Sequence, residues 1–158
     1  MAENTPQYAA NIAVRAFLRE VSKRHGPFVR ERHWKAICDE FGNRCAYCGG
    51  GERLEGDHLL GLNRKECGLH HPGNIVPVCP SCHKAKSEQA RKGKAWHDFV
   101  TDRARRERIV AHTRQYEYPI ASEGSMREVS EIAAGLYSQV VRAIKESAGR
   151  WGNPRVEP

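Results

Sequence analysis

The sequence predicts an α+β fold that is mostly helical, and three observations carry that reading. Apolar residues recur at helical spacing near both ends, two short β-prone runs lie at 52–60 and 74–78, and four cysteines form two C-x2-C pairs around them. At 158 residues the chain makes one ordinary domain with an appended helix, able to bury roughly two thirds of its surface. With 39% hydrophobic and 28% charged residues and a mean hydropathy of -0.70, it is a poor fit to low-complexity disorder, collagen-like repetition or a membrane-spanning protein. No run approaches the ~20 apolar residues that a bilayer crossing needs. Arg15 and Arg19 interrupt the N-terminal apolar run where a signal peptide needs its core, so the chain is expected to stay where it is made.

The elements follow in order. Thr5-Pro6 offers an N-cap and a first-turn proline, and Ala10, Val14, Phe17, Leu18 and Val21 share one face, which predicts a helix over 6–24. Gly26-Pro27 ends it. Trp34, Ile37, Cys38 and Phe41 mark a second helix closed by Gly42, with Cys38 a small buried hydrophobe. Residues 52–60 and 74–78 are read as strands, Pro77 arguing for an edge, and the irregular loop between them holds Cys67, for which the pattern gives no role. A third helix is expected from Pro80 with a break near Gly93, after which Trp96, Phe99, Val100 and Ala104 give another apolar face. Residues 116–123 read as a linker containing Pro119. Ser125 and Glu128 form a capping box for a last helix whose stripe runs from Met126 and Val129 through Ala133 and Tyr137 to Ile144. That stripe needs a partner: the first helix is the simpler one, a second copy of the chain the other. The breaks divide the chain into an N-terminal helix (1–27), a central unit with a basic helical extension (28–115), and a linker with a C-terminal amphipathic helix (116–158).

Charge narrows the partners. Twenty-six Lys and Arg against 19 Asp and Glu leave +7, with a pI near 9.3, a balance that favours polyanions. Between Lys84 and Arg114 ten basic residues face four acidic ones, which accounts for six of the seven excess charges. A solvated helical surface is the plainer reading of that run. The C-x2-C spacing suits metal chelation better than a secreted disulfide scaffold, and so points to a reducing compartment.

Cys45, Cys48, Cys79 and Cys82 can satisfy tetrahedral zinc with no open position, which is a structural rather than a catalytic site. The thirty residues between the pairs hold the acid–base groups: Asp57-His58 near the end of the first strand and Asn74 at the start of the second. His83 follows the last cysteine on the third helix.

Cys45-Ala-Tyr-Cys48, Gly56-Asp57-His58, Asn74-Ile-Val-Pro-Val-Cys79-Pro-Ser-Cys82-His83 and Lys86 resemble, in order and spacing, the cysteine-flanked branch of the HNH nuclease family over about residues 42–90. Leu60-Gly61 stands where that family often has a proline. The resemblance implies a ββα-metal (His-Me finger) core, two antiparallel strands and a helix, clamped by the zinc knuckles and flanked by the terminal helices. It implies a catalytic Mg2+ or Mn2+ held by Asp57 and His83, with His58 as general base and Asn74 fixing the loop that orients it. DNA, double-stranded, would be hydrolysed to 5′-phosphate and 3′-hydroxyl ends. Lys84, Lys86, Arg64 and Arg91 are then the expected phosphate contacts, with no membrane partner, a possible homodimer through the C-terminal helix, and a cytoplasmic setting in a bacterial or phage-infected cell. An imidazole of ordinary pKa near 6.5 predicts activity that rises between about pH 5.5 and 8. The alternative is a zinc-stabilised nucleic-acid-binding module, a regulator or packaging accessory, that does not cut. His70 and His71 are read as exposed loop residues, with contact of one of them to phosphate or metal the alternative, Tyr47 and Trp96 as packing, and His25, His33, His97 and His112 receive no role.

Overall fold

Thr5 is the N-cap of α1 (Pro6–Arg24): its hydroxyl accepts from the Tyr8 amide, and with Pro6 in the first turn it starts the helix at the expected place. The computed structural model describes residues 5–51, 53–118 and 123–151, without side chains at 123–126 and 149–151. Ala10, Val14, Leu18 and Ser22, four apart, are the buried edge of α1. They meet α6 (Glu123–Trp151), whose Val129, Ala133 and Tyr137 join Val14, Leu18, Cys67, Leu69 and Tyr118 in one cluster. The C-terminal stripe therefore has a partner inside the chain, and Cys67, at a positive φ of 49°, is part of that core. Val14 and Leu18 are fully buried, worth about 1.5–3 kcal/mol each as an upper estimate. α6 begins at Glu123, so Ser125 sits inside its first turn rather than before it; the capping box itself and the linker at 119–122 lie outside the described residues.

α2 (Arg30–Glu40) buries Ile37 and Cys38 and closes through Phe41, with Gly42 at φ 64°. β1 (Glu55–His58) and β2 (Ile75–Val78) pair antiparallel, with Gly56 opposite Pro77 and Asp57 opposite Val76. They are shorter than the sequence suggested. After Leu59, whose amide still reaches the Asn74 carbonyl at 2.9 Å, the Leu60 amide turns to the Asn74 side chain instead of a ladder partner, and the chain leaves the sheet. A short 3-10 turn, Pro72–Asn74, leads into β2.

α3 (Pro80–Arg91) starts directly after Cys79 and ends at Gly93, φ 79°. The apolar face expected across residues 96–104 is broken in two: α4 (Trp96–Phe99) and α5 (Arg103–Gln115) are separated by the extended, buried Val100, and Asp102 caps α5 by accepting from the Arg105 amide at 2.9 Å. Ala104 consequently faces outward. α5 buries Ile109 beside Ile37, Phe41, Tyr47, Leu59, Val76 and Val78, the core beneath the hairpin. His112, given no role from sequence, is fully buried: its Nδ1 meets Glu40 Oε2 at 2.8 Å and its Nε2 the carbonyls of Pro72 and Ile75 at 3.1 and 3.0 Å, tying α5 to α2 and β2. Among the described residues no helix is long and apolar enough to cross a membrane.

Candidate active site

Two tight turns bring four thiols together. The first knuckle is closed by the Gly49 amide on the Cys45 carbonyl (2.8 Å) and docked on β2 by the Ala46 amide on the Pro77 carbonyl (2.8 Å); the second is the step from β2 into α3. The sulfurs of Cys45, Cys48, Cys79 and Cys82 lie within 4.8 Å of one another, and Cys48 Sγ to Cys79 Sγ is 3.8 Å. A tetrahedron with metal–sulfur bonds of about 2.3 Å has edges of about 3.8 Å, so the cluster is compatible with structural zinc. The Ser81 hydroxyl, 3.2 Å from Cys79 Sγ, brings that thiol down to about 6, whereas burial holds Cys45 and Cys82 up. A divalent cation supplies the charge that ionising all four requires.

Inside this clamp the buried Asp57 divides its carboxylate between two tasks. Tyr47 donates to Oδ2 at 2.7 Å, and the Lys86 ammonium lies 3.2 Å from that oxygen and 3.5 Å from Oδ1 while also bonding the His58 carbonyl. Burial, with the Asp57 carboxylate alongside, raises the Tyr47 phenol, which stays a donor. Oδ1 faces His83 Nε2 across 3.4 Å, and His83 Nδ1 is held at 2.7 Å by Glu55 Oε1. An oxygen and a nitrogen this far apart suit two ligands of one ion with bonds near 2.1 Å, for which the separation is about 3.0–3.4 Å. Glu55 stands where a carboxylate fixes the ring of a metal-binding histidine.

His58 occupies the other face of β1, in a cavity of about 130 Å³ walled by Phe28, Trp34, Gly56, His70 and Ile75. Its Nε2 is 2.9 Å from His70 Nδ1. Burial first, then the charges of His70, Lys86, His83 and Arg19, push His58 down to about 3. That changes the expected pH signature: an imidazole this depressed is already neutral throughout pH 5.5–8. His70 is not an exposed loop residue. Its backbone amide donates to Ser22 Oγ at 2.7 Å, its ring meets Phe28 edge-on, and burial lowers its pKa. His71 is buried against Tyr118, and its Nδ1 accepts from the Gly73 amide at 3.1 Å. Asn74, also fully buried, accepts from the Leu60 amide (2.9 Å) and donates to the carbonyls of Leu60 (2.9 Å) and Leu69 (2.8 Å), holding both ends of the loop that carries these histidines.

Residues 45–89 match the family model described as HNH endonuclease. This segment is an HNH domain. No curated protein and no solved structure matches the chain. Within the HNH segment, the structure brings Asp57 and His83 together and sets His58 across the strand from them. The expected phosphate contacts separate: Lys84 is exposed on α3, and Arg64 and Arg91 line a groove at the edge of the segment, but Lys86 is buried at 7% exposure and turned onto Asp57. Sequence reasoning missed Glu55, Tyr47, His70 and Ser22. Glu55 had a signal, since it lies two residues before Asp57 and so shares its strand face.

Proposed function

We propose that the chain is a divalent-metal-dependent HNH endonuclease that hydrolyses DNA phosphodiester bonds to 5′-phosphate and 3′-hydroxyl ends, with zinc on the four cysteines. The observation that carries the reading is the convergence of Asp57 Oδ1 and His83 Nε2 at 3.4 Å, with the far nitrogen of His83 held by Glu55. Asp57 and His83 would hold the catalytic Mg2+ or Mn2+, which when bound supplies charge stabilisation for the phosphate and the departing 3′ oxygen. Tyr47 anchors Oδ2, which leaves Oδ1 turned toward His83, and the Lys86 ammonium spans both oxygens.

His58 is the general base in this reading, and His70 its positioning residue. When His70 Nδ1 accepts from His58 Nε2–H, the His58 proton sits on Nε2 and the Nδ1 lone pair is open to take a proton from water. A pKa of about 3 keeps that nitrogen unprotonated at neutral pH and makes it a weak base. Asn74 acts on backbone groups, its side-chain amide fixing the loop between His58 and His70.

One observation favours the non-cutting alternative: the Lys86 ammonium beside Asp57 already neutralises the carboxylate that a cation needs. A supercoiled-plasmid assay with zinc-loaded protein across Mg2+ and Mn2+, with end mapping of the products, decides between them. The nuclease reading expects metal-dependent nicking, 5′-phosphate ends, and loss of activity in His58→Ala and His83→Ala. Plasmid that is shifted on a gel but stays intact with every metal overturns it in favour of the binding module.

A further inference from the structure

We propose that a basic groove at the edge of the HNH segment, where its 61–66 loop and the end of α3 meet α1 and α6, holds the phosphodiester backbone of the nucleic-acid strand flanking the scissile phosphate. The proposal rests on the nuclease reading for what the strand is doing there, and on the groove's own chemistry for what binds. The groove encloses about 660 Å³, and Arg15, Arg64, Lys65, Arg91 and Lys94 all face it. Its acidic member, Glu66, is engaged by the Asn63 side-chain amide at 2.7 Å. Among the described residues no ion pair occupies Arg15, Lys65, Arg91 or Lys94, while the Arg64 guanidinium lies over the Tyr137 ring of α6, 4.3 Å from its centre. That stacking braces the cation without neutralising it.

Two walls of the groove run continuously into the candidate active site. On α3, Ser87 and Arg91 are one and two turns beyond His83 on the same face. On α1, Arg15 is one turn from Arg19, whose charge reaches both His58 and His70. From His83 to Arg91 the helix advances about 12 Å, the axial length of three to four nucleotides at about 3.4 Å per step. Cations spaced along such a track match a phosphate backbone better than a compact anion.

Three of the five arginines on α5 are disposed differently. Arg103 pairs with Glu107 at 2.8 Å, Arg105 with Asp102 at 3.7 Å, and Arg108 donates to the Glu40 carbonyl while covering the Phe41 ring. Those three are engaged within the chain, whereas the groove gathers five cations for which no ion pair is found among the described residues.

The test is salt-dependent binding. Zinc-loaded full-length protein carrying His58→Ala, so that DNA stays uncut, is titrated with a labelled duplex of about 20 base pairs between about 50 and 200 mM KCl. Each phosphate contact contributes about 0.9 to the slope of log K against log salt, so Arg15→Glu with Lys94→Glu should lower the slope by about 2 and weaken binding at least about tenfold at low salt. Lys35→Glu with Arg127→Glu, the same change in net charge at exposed sites on α2 and α6, should leave the slope within about 0.5 of the parent. Equal slopes for the two double variants overturn the proposal. So does a polyglutamate peptide that binds as tightly as DNA of equal charge and loses the same affinity in the groove variant, which would make the partner an acidic protein. Metal-dependent hydrolysis of bis(p-nitrophenyl) phosphate by the unaltered chain judges the nuclease reading separately; the groove stands or falls on binding whichever way hydrolysis comes out.

Discussion

Replacing Asn74 by aspartate keeps the side chain's shape and destroys what it does. The wild-type amide accepts one hydrogen bond from Leu60 and donates two, to the carbonyls of Leu60 and Leu69, in a site with no solvent exposure. Aspartate retains the acceptor, loses both donors and sets a carboxylate against two carbonyl oxygens. The Leu69 carbonyl keeps its bond from the His71 amide (3.0 Å), but the Leu60 carbonyl is left unpaired at a cost of about 1–3 kcal/mol, so Asn74→Asp should destabilise by about 1–3 kcal/mol. For a chain of this length about 1 kcal/mol moves Tm by about 2–4 °C, so a central value of about 2 kcal/mol gives about 4–8 °C.

The sign of the pH effect separates this cause from general loosening. Burial raises the new carboxyl, which on protonation regains one donor, so the Tm deficit at pH 7 should shrink as the pH is lowered toward about 5. Asn74→Ala should show a deficit independent of pH and fast hydrogen exchange at the Leu60 amide. The assay is thermal unfolding at saturating zinc, with exchange read by NMR. A deficit below about 1 kcal/mol in both variants, with the Leu60 amide still protected, would refute the claim that this side chain pins the loop.

Three other expectations follow from the same geometry. A strong chelator should remove one zinc per chain and unfold the HNH segment, because the about 10–16 kcal/mol of zinc binding matches or exceeds the about 5–15 kcal/mol stability of a domain; a chain that keeps its helical circular dichroism without zinc contradicts this. Glu55→Gln should weaken activation by Mn2+ about 10–100-fold with Tm unchanged, since Glu55 is 43% exposed and touches the site only through His83; an unaltered Mn2+ dependence removes Glu55 from the mechanism. The folded state holds His71 neutral, with burial pushing it down to about 4, so the unfolded chain binds more protons between pH 6.5 and 4, and its contribution to stability, present above pH 6.5, is lost as the pH falls toward 4. His71→Asn, which can still cap the 3-10 turn, should flatten the fall of Tm over that window relative to the parent at equal zinc; identical slopes would count against it.

What the sequence made legible was local. α1 could be placed because Thr5-Pro6 and a four-residue apolar spacing are contained within one helix, and the four-cysteine cluster because each C-x2-C turn presents two sulfurs whatever lies between. The pairs that shape the acid–base site are distant in sequence: His58 with His70 is twelve apart, His83 with Glu55 twenty-eight, Lys86 with Asp57 twenty-nine. No periodicity encodes such contacts. Lys86 is instructive, since its place one turn from His83 was visible, and whether that face met solvent or a buried carboxylate depended on the hairpin packed above it. His112 was missed for the same reason, its partner Glu40 being seventy-two residues away.

The HNH segment also depends on residues well before its start, and Ser22→Ala measures how much. Ser22 Oγ donates to the Leu18 carbonyl within α1 and accepts from the His70 amide at 2.7 Å, so α1 holds the histidine that faces His58. Alanine removes the acceptor and leaves a buried N–H unpaired, a cost of about 1–3 kcal/mol. A purely structural bond would lower Tm and leave kcat of the folded protein alone. A bond that positions His70 would also lower kcat with KM for DNA unchanged, because loosened His70 no longer keeps the His58 proton on Nε2, and Ser22→Thr, which restores the oxygen, should recover much of the rate. Full kcat in Ser22→Ala at a temperature well below its Tm would show that His58 keeps its tautomer without help from α1.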